Sequence, residues 1–432
     1  MLIVDTALKA REEEKRPVRV GMIGAGAMAR GIAMQIIQST PGMQLAAIAN
    51  RTVASAQRAY EESGQSNSIV VESLADLETA ISNNTPAIVQ DALTLAQADA
   101  IDVVVEATGT IEFALNAVFA AIKHGKHVVL MNAELDSTIG PILKVYADRA
   151  GVILTACDGD QPGVEMNLYR FVKSIGLTPL VCGSMKGMLD HYRTPETQAK
   201  FAKQWDQGVH MVTSFADGTK VSFEQAIVAN GTGMTIAQRG MLGYEHRDHI
   251  DTMTDKYDVD QLKELGGIVE YAIGATPGPG VYIFATQENP IHQRYLELYK
   301  LGKGPLYSFY TPYHLCYFEV PISIARVALF NDVILAPEGA PKVDVVATAK
   351  QDLTVGQTLD GIGGFTCYGQ CERADLTYKQ QLLPMGLSAG CVLKRPVSKD
   401  AIITYDDVLL PKGRLCDQLR AEQNTYFASA FV

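Results

Sequence analysis

The stretch that decides the fold is VRVGMIGAGAMARGIAMQII, at residues 18–37. Its first residues, VRVGMI, are an apolar run typical of a buried strand, and the later ones have the apolar spacing of a helix packed on a sheet. Between them Gly24, Gly26 and Ala29 form the pattern G-x-G-x-x-A. Gly24 permits a tight turn, Gly26 lets the backbone approach a pyrophosphate, and Ala29 lets helix and strand pack closely. The sequence therefore predicts a dinucleotide-binding turn.

Apolar strands alternate with helices from this turn to about residue 157. The strand-like runs QLAAIAN, AIDVVVEATG and KHVVLMN are joined by helix-like runs such as EFALNAVFAAIKHG. This alternation is typical of a parallel sheet covered by helices on both faces. We therefore expect an α/β protein whose residues 1–157 form a doubly wound Rossmann domain.

The end of the second strand predicts which dinucleotide is bound. Sites for NAD usually place Asp or Glu there, and that charge repels the 2′-phosphate of NADP. This chain instead has Asn50, Arg51 and Thr52, an amide, a cation and a hydroxyl. The sequence therefore predicts NADP(H). The alternative is that Arg51 is only a solvated surface charge.

Further polar residues follow later strands, at the sheet edge where dinucleotides lie. Thr108 and Gly109 follow the strand in AIDVVVEATG, and Asn132 and Glu134 follow KHVVLMN. The predicted cofactor-binding residues are Gly24, Gly26, Ala27, Met28, Asn50, Arg51, Thr52, Thr108, Gly109, Asn132 and Glu134.

The pattern changes at about residue 158. Short strand-like runs, LVCGSM and GVYIFATQ among them, predict an α+β substrate domain at residues 158–304 with an antiparallel sheet. In MVTSFADGTKVSFEQA, Asp217 and Gly218 lie between two alternating runs, which predicts a hairpin. We expect residues 305–335 to return to the first domain, the stretch LAPEGAP to act as a linker, and residues 342–432 to form a small β-rich domain.

Composition excludes several classes of protein. The 432 residues are 47% hydrophobic and 20% charged, with a formal charge of −11, which is typical of a globular protein and argues against a general nucleic-acid binder. No run approaches the ~18 uncharged apolar residues of a membrane span. The seven cysteines are scattered without a disulfide pattern. We expect a cytoplasmic homo-oligomer, a dimer or tetramer, that acts on a small molecule and binds neither nucleic acid nor membrane.

The chain resembles the homoserine dehydrogenase-like superfamily and, within it, the 1-deoxy-D-xylulose 5-phosphate reductoisomerase-like (DRL) family. The resemblance rests on VDTALKAREEEKRPVRVGMIGAGAMARGI, DVVVEATGT, GKHVVLMNAELDSTIGPILK, GDQPG, LGKGPLYSFYTPYHLCYFEVPISIARVAL and VVATAKQDLTVGQTLDGIG. It implies reduction of a carbonyl by NADPH, with or without rearrangement of a phosphorylated sugar, and an SAF-type module at residues 342–432.

Two stretches, CDGDQPGVEMN and KGMLDHYRTPETQ, depart from the DRL pattern. A reductase of another sugar or polyol intermediate, in carbohydrate biosynthesis or catabolism, therefore stays open. A non-catalytic protein that senses NADPH is a second alternative, and it would not need the polar residues gathered at the strand ends. A true homoserine dehydrogenase is disfavoured because the middle segment shows no signature of that enzyme.

Candidate catalytic residues follow from the charge that the reaction creates. A carbonyl that accepts hydride develops alkoxide charge, so the site needs a cation or an acid. Lys186 in GSMKGM meets that need, and Lys303, between two glycines, is placed to hold a phosphate. His314 in TPYHL is a candidate for proton transfer, and Glu319 for orienting it, for metal binding or for a substrate hydroxyl. The alternatives are two surface lysines, a structural histidine and a helix-start glutamate.

Asp158 and Asp160 in CDGDQPG are a candidate pair for a divalent cation or for sugar hydroxyls, and Asp160 is also a catalytic candidate. Aspartates in such turns also serve their own backbone, which is the alternative. The sequence leaves the metal requirement open.

Overall fold

A computed structural model describes residues 3–431 and divides the chain into two compact units. The first unit comprises Met1–Asp160 and Leu315–Ala336, and the second comprises Gln161–His314 and Pro337–Val432. The segment that rejoins the first unit thus begins at Leu315 and not at residue 305. Residues 342–432 cluster with the middle segment and not as a third unit.

A parallel sheet of seven strands forms the centre of the first unit. The strands are β1 (Val18–Ile23), β2 (Met43–Ala49), β3 (Ile69–Val70), β4 (Ala87–Val89), β5 (Val103–Glu106), β6 (His127–Leu130) and β7 (Leu154–Ala156). They pair in the order β3-β4-β2-β1-β5-β6-β7, and each pairing is parallel. The predicted doubly wound α/β fold is confirmed. The strand order reverses beside β1, so the turn after β1 lies at the switch point where such sheets bind ligands.

Helices connect these strands and bury apolar stripes. They are α1 (Val4–Glu13), α2 (Ala27–Ser39), α3 (Val53–Glu62), α4 (Leu74–Ser82), α5 (Ala92–Gln97), α6 (Glu112–Lys123) and α7 (Ala133–Ala150). In α6 the residues Ala114, Leu115, Val118, Ala121 and Ile122 are buried, at the spacing of one helix face.

The second unit contains a mixed sheet and not the antiparallel one expected. Its strands are β8 (Thr178–Lys186), β9 (Tyr244–Glu245), β10 (Ile268–Ile273), β11 (Val281–Thr286) and β12 (Leu306–Thr311), in the order β12-β11-β8-β10-β9. β8 pairs in parallel with β10 and antiparallel with β11. The long segment between β8 and β10 makes this possible, since a parallel pair needs a long crossover.

The predicted hairpin around Asp217 and Gly218 is wrong, because both flanking runs are helices. The helices up to β12 are α8 (Gln161–Ser174), α9 (Pro195–Gln204), α10 (Val209–Ala216), α11 (Thr219–Thr232), α12 (Val259–Leu265) and α13 (Pro290–Leu298). All of α11 from Thr219 to Gly231 is buried, so it lacks a polar face. A helix buried all round shows no 3.6-residue alternation and reads like a strand.

The remaining elements lie near the end of the chain. They are α14 (Val320–Phe330) in the first unit, then β13 (Val343–Ala349), β14 (Cys367–Arg373), α15 (Ala374–Lys379), β15 (Val392–Leu393), β16 (Val408–Leu409) and α16 (Leu415–Tyr426). Short 3₁₀ helices occur at Ile250–Lys256, Cys316–Phe318, Met385–Leu387, Tyr405–Asp407 and Ala428–Ala430. β13 pairs with β14 and β15 with β16, both antiparallel. The SAF-type assignment of residues 342–432 stays a prediction. Within residues 3–431, no helix is both long and apolar enough to cross a membrane.

Candidate functional site

The glycine turn after β1 has the geometry of a phosphate cradle. Gly24 has φ +108°, and a Cβ there would lie 2.9 Å from the carbonyl oxygen of Ala107, so only glycine fits. A Cβ on Gly26 would meet no other described atom within 4 Å. Helix α2 begins at Ala27, and no described side chain caps it. The uncapped N–H groups, next to open space at Gly26, fit a dinucleotide pyrophosphate.

Helix α2 also makes a close contact that was not predicted from the sequence. Ala29 is fully buried, as the fingerprint requires. Gly31 is more crowded, because a Cβ there would lie 2.4 Å from the ring of Tyr317. A glycine in a helix interior costs about 1 kcal/mol relative to alanine, so its presence was the available signal of a close contact. Gly31 lets the 3₁₀ helix at Cys316–Phe318 pack against α2.

Asn50, Arg51 and Thr52 form an ordered loop at the end of β2. Asn50 Nδ2 donates to the carbonyl oxygen of Thr52 at 2.8 Å, and Gln90 Nε2 donates to that of Arg51 at 3.1 Å. The exposed Arg51 guanidinium lies 5.3 Å from the centroid of the Phe113 ring. The loop backbone is thus fixed while a cation is presented to solvent at the edge where a ribose would lie.

A buried carboxyl group organises the loop after β5. Glu106 is fully buried, and its Oε1 accepts a hydrogen bond from the backbone N–H of Thr108 at 2.8 Å. Burial raises the pKa of Glu106 to about 7. Thr108 Oγ1 lies 2.9 Å from Thr110 Oγ1, and Gly109 has φ +67°. Glu106, which we did not single out from the sequence, therefore shapes the loop that carries the predicted Thr108 and Gly109.

Asn132 joins the β5 loop to the start of α7. Its Oδ1 accepts from the backbone N–H of Leu135 at 3.0 Å, which caps α7, and its Nδ2 donates to the carbonyl oxygen of Thr110 at 2.7 Å. Glu134 is buried in the first turn of α7. Asn132 thus holds two strand-end loops together, and any contact with nicotinamide is additional to this role.

Asp158 is held by an arginine and not poised for a metal. Its Oδ1 accepts from Nη1 of Arg326 at 2.8 Å, and its Oδ2 accepts from the hydroxyl of Ser323 at 3.0 Å. The same hydroxyl accepts the backbone N–H of Asp158 at 2.7 Å. Both carboxylate oxygens are engaged by α14, so Asp158 does not fit a divalent cation. The aspartate that the sequence suggested as a metal ligand is part of an internal ion pair.

Glu319 lies next to this ion pair, and Asp160 follows it closely along the chain. Burial, followed by the charge of Asp158, raises the pKa of Glu319. Gly159 has φ +86°, and a Cβ there would lie 2.1 Å from the carbonyl oxygen of Cys316. Asp160 is 9% exposed. His314 is the last residue of its segment of the second unit, whereas Glu319 belongs to the first, so their pairing stays a prediction.

Lys186 ends β8 and is not a surface lysine. Its side chain is 16% exposed, and its Nζ donates to Gln161 Oε1 at 2.7 Å. It also forms an ion pair with Glu224, with Nζ 3.3 Å from Oε2. Gln161 begins α8, and Glu224 lies in the middle of α11. The structure thus fixes the ammonium group between two helices.

A second pair of side chains lies beside Lys186. Glu165 on α8 is 0% exposed, and its Oε1 accepts a hydrogen bond from Gln225 Nε2 at 2.6 Å. Burial raises the pKa of Glu165 well above its ordinary value, and the charge of Glu224 raises it further. We call Gln161, Glu165, Lys186, Glu224 and Gln225 the Lys186 network. Only Lys186 was predicted; the signal that we missed is the adjacent Glu and Gln in the apolar run of α11.

Lys303 lies in an exposed loop. Its side chain is 86% exposed, with Nζ 4.0 Å from Glu297. The flanking Gly302 and Gly304 have φ +101° and +74°, a backbone that bends around the lysine. This geometry is open to an anion, but it does not itself form a pocket.

Comparison with known protein families places these residues in two domains. Residues 24–148 match the NAD-binding domain of homoserine dehydrogenase, and residues 159–320 match the catalytic domain of the oxidoreductase DRL. The chain is thus similar to a homoserine dehydrogenase NAD-binding domain in its first part and to a DRL catalytic domain in its middle part. The NAD-binding domain holds every predicted cofactor residue. The segment that matches the DRL catalytic domain includes all five predicted catalytic residues, and Asp158 directly precedes it.

Solved structures show weaker similarities. The 1-deoxy-D-xylulose 5-phosphate reductoisomerase of Zymomonas mobilis, solved with NADPH, is 19% identical over 49% of this chain and 57% of its own, with a TM-score of 0.35. KijD10, a 3-ketoreductase from Actinomadura kijaniata solved with NADP, is 13% identical over 73% of this chain and 91% of its own, with a TM-score of 0.35. A probable dehydrogenase from Thermotoga maritima is 13% identical over 62% and 73%, with a TM-score of 0.34. Similarity at this level supports no functional conclusion, and no curated protein matches the chain.

Proposed function

We propose that the chain is an NADPH-dependent oxidoreductase that reduces a carbonyl group of a small, phosphorylated, sugar-like substrate in the manner of the reductoisomerase-like enzymes. The observation that carries the proposal is the largely shielded ammonium group of Lys186, whose side chain is 16% exposed and which is fixed by Gln161 and Glu224 within the segment that matches the DRL catalytic domain. An oriented cation in a partly desolvated site stabilises a developing alkoxide.

The choice of NADPH rests on the loop at the end of β2. Arg51 is the charged side chain there, and Asn50 and Thr52 add no negative charge. A guanidinium group forms strong hydrogen bonds with phosphate oxygens, so it favours the 2′-phosphate of NADP(H). When bound at the Gly24–Gly26 turn, NADPH supplies the hydride.

The role of Lys186 follows from its three N–H bonds. Gln161 and Glu224 accept two of them, which leaves the third for the oxygen of the substrate carbonyl. As that oxygen gains negative charge, Lys186 donates a proton to it. Glu224 pairs with the ammonium group and fixes its direction.

The remaining candidates are assigned to the rest of the substrate. Lys303 pairs with a phosphate group, His314 transfers a proton, and Asp160 and Glu319 bind sugar hydroxyls. A divalent cation at Asp158 is not part of this proposal, because Arg326 and Ser323 occupy both of its carboxylate oxygens.

The test is NADPH oxidation by the purified protein with 1-deoxy-D-xylulose 5-phosphate, other phosphorylated ketoses and keto-polyols. Lys186→Ala should lower kcat by about 10²–10⁴-fold, the usual contribution of an acid catalyst, without weakening NADPH binding. Lys263→Ala is the control, since Lys263 also pairs with a glutamate, Glu288, but at an exposed site. Full turnover by Lys186→Ala would overturn the assignment, and NADPH binding without turnover on any substrate would indicate a sensor.

A further inference from the structure

Strand β12 lies at one edge of the mixed sheet in the second unit. β11 pairs along one side of it, antiparallel, from Thr286↔Leu306 to Val281↔Thr311. In such a pair, alternate residues direct their N–H and C=O groups to the neighbouring strand, and the others direct theirs outwards. Within residues 3–431, no hydrogen bond joins the outward backbone groups of β12 to another segment. The edge is therefore open to a further strand.

This edge also lacks the features that normally prevent strand pairing. Exposed edges usually carry a charge, a proline or a bulge. β12 has the sequence LYSFYT, without a charge or a proline, and its register with β11 is unbroken. The opposite edge is different, because β9 has two residues, Tyr244 and Glu245, and the second is charged. Of the two edges of this sheet, the β12 edge is the one suited to pairing.

Helix α13, which leads into β12, exposes an apolar face. None of its described side chains is buried. Ile291, Tyr295, Leu298 and the C-cap Tyr299 are 53–72% exposed and follow the spacing of one helix face. With nine residues, α13 is shorter than the roughly 12–15 residues at which an isolated helix becomes marginally stable in water. A partner surface that covers this face would stabilise the helix.

The apolar surface continues from α13 past the end of α8 to β12. Gln287 Nε2, just before α13, donates to the carbonyl oxygen of Gly176, just after α8, at 2.7 Å. On α8, the ring centroid of the exposed Phe171 lies 6.4 Å from that of Phe309 on β12. We call β12 and the exposed apolar side chains beside it the β12–α13 surface; these side chains are Phe171, Ile175, Ile291, Tyr295, Leu298 and Tyr299. At about 100 Å² for each half-exposed side chain they provide on the order of 600 Å², most of the ~800 Å² that each partner buries in a standard interface.

Charges at the two ends of β12 indicate which partner fits. Residues 290–303, which precede β12, contain three basic residues and one acidic residue. The other end of β12 lies near the segment 245–255, because the ring centroids of Tyr310 and His249 are 5.3 Å apart. That segment contains four acidic residues and one basic residue. When two copies of β12 pair antiparallel, the basic end of each copy meets the acidic end of the other, so the charges fit a second copy of the chain.

We propose that the β12–α13 surface joins two copies of this chain across a two-fold axis. The two β12 strands pair antiparallel and join two five-stranded sheets into one. A two-fold axis perpendicular to a sheet keeps each side chain on its own face, so one residue of β12 lies opposite its own copy. Ser308 and Phe309 are the two central residues. Such a dimer forms whether or not the chain reduces a carbonyl.

A cysteine placed on the axis tests the pairing directly. Opposite residues of an antiparallel pair have Cα atoms about 4.5–5.5 Å apart, within the range of a disulfide. Mild oxidation of the full chain with copper phenanthroline should convert either Ser308→Cys or Phe309→Cys to a covalent dimer. Glu245→Cys, at the opposite edge, is the matched control and should stay uncrosslinked, as should the wild type, in which six of the seven cysteines are buried. Crosslinking of neither central variant, or equal crosslinking of Glu245→Cys, would overturn the proposal.

Sedimentation equilibrium provides a second readout that needs neither NADPH nor a substrate. We expect the wild type to be a dimer that weakens at high salt, since exposed charges are screened. The double variant Leu298→Glu, Tyr299→Glu should raise the dimer Kd at least about 100-fold, because unpaired carboxylates would be buried in the interface. Val355→Glu is the control, since Val355 and Leu298 are both 62% exposed, and it should leave the Kd unchanged.

A monomeric wild type would overturn the proposal and would leave the β12 edge to a strand of another protein. A dimer that the double variant does not weaken would also overturn it, because the copies would then meet elsewhere. Neither result bears on the proposed reduction, which is tested separately by Lys186→Ala.

Discussion

Replacing Arg51 with alanine should weaken the binding of NADPH and leave the binding of NADH unchanged. The two coenzymes differ only in the 2′-phosphate, which we place against the Arg51 guanidinium at the end of β2. The backbone of that loop is held by the amides of Asn50 and Gln90, so the substitution removes the cation without moving the loop. The change therefore isolates one contact.

The size of the effect follows from the surroundings of Arg51. A hydrogen bond to a charged group contributes about 1.5–3 kcal/mol, and the exposure of Arg51 favours the lower end of that range. About 1.5 kcal/mol corresponds to a roughly tenfold increase in Kd. The contact of the guanidinium with the Phe113 ring is present with and without coenzyme, so it pre-orients Arg51 but cancels in the comparison.

Fluorescence titration with NADPH and NADH, for the wild type and the variant, measures this difference directly. Lys123→Ala is a matched control, because Lys123 also lies over an aromatic ring, with Nζ 4.1 Å from the centroid of Phe119 on the same helix as Phe113. Raising the salt concentration should narrow the NADPH advantage of the wild type, since an exposed ion pair is screened. Equal weakening of both coenzymes by Arg51→Ala, or a wild-type preference for NADH, would refute the reasoning.

Two further predictions concern buried carboxyl groups of the first unit. Asp158→Asn should destabilise the protein by about 3 kcal/mol in urea unfolding, because it breaks a buried ion pair with Arg326. Mg²⁺ or Mn²⁺ should not stabilise the wild type. If either ion stabilises the wild type but not the variant, Asp158 is a metal ligand after all. Burial raises the pKa of Glu106 from 4.5 to about 7, so the stability that its protonated form contributes is complete below about pH 4.5 and is lost as the pH rises through 7. The wild type should therefore lose about 3 kcal/mol of stability between about pH 5 and pH 8, and Glu106→Gln should abolish that loss. An unchanged pH dependence in the variant would show that Glu106 is ionised in the fold.

The first unit was largely predictable because its signals are local. The turn at Gly24 and the apolar run of β5 can each be recognised from a few neighbouring residues. A continuous apolar run bounded by a glycine turn is typical of a parallel strand buried on both faces. What local reading could not supply was Gly31, whose reason is the ring of Tyr317, far away along the chain.

The second unit was predicted less well because its central helix carries no periodic signal. Helix α11 is buried on every side, so Val221, Phe223 and Ile227 read like a strand. That error also affected the prediction of the site residues on this helix. In a strand, Glu224 and Gln225 would point to opposite faces, and one of them would be dismissed as solvent-facing. In a buried helix both are inside, which is what brings one to Lys186 and the other to Glu165.

The same reasoning separates two site assignments made from sequence, Asp158 and Lys186. Asp158 looked like a metal ligand because a neighbouring aspartate suggested an oxygen cluster, but its true partner, Arg326, is 168 residues away. Lys186 was a candidate that sequence alone could not separate from a surface lysine, and its partners Gln161 and Glu224 are 25 and 38 residues away. Spacing along a chain identifies which groups are available for chemistry. Which of them are neutralised and which are left to react is decided by distant partners, so the chemistry of this site rests on the Lys186 network and not on any one motif.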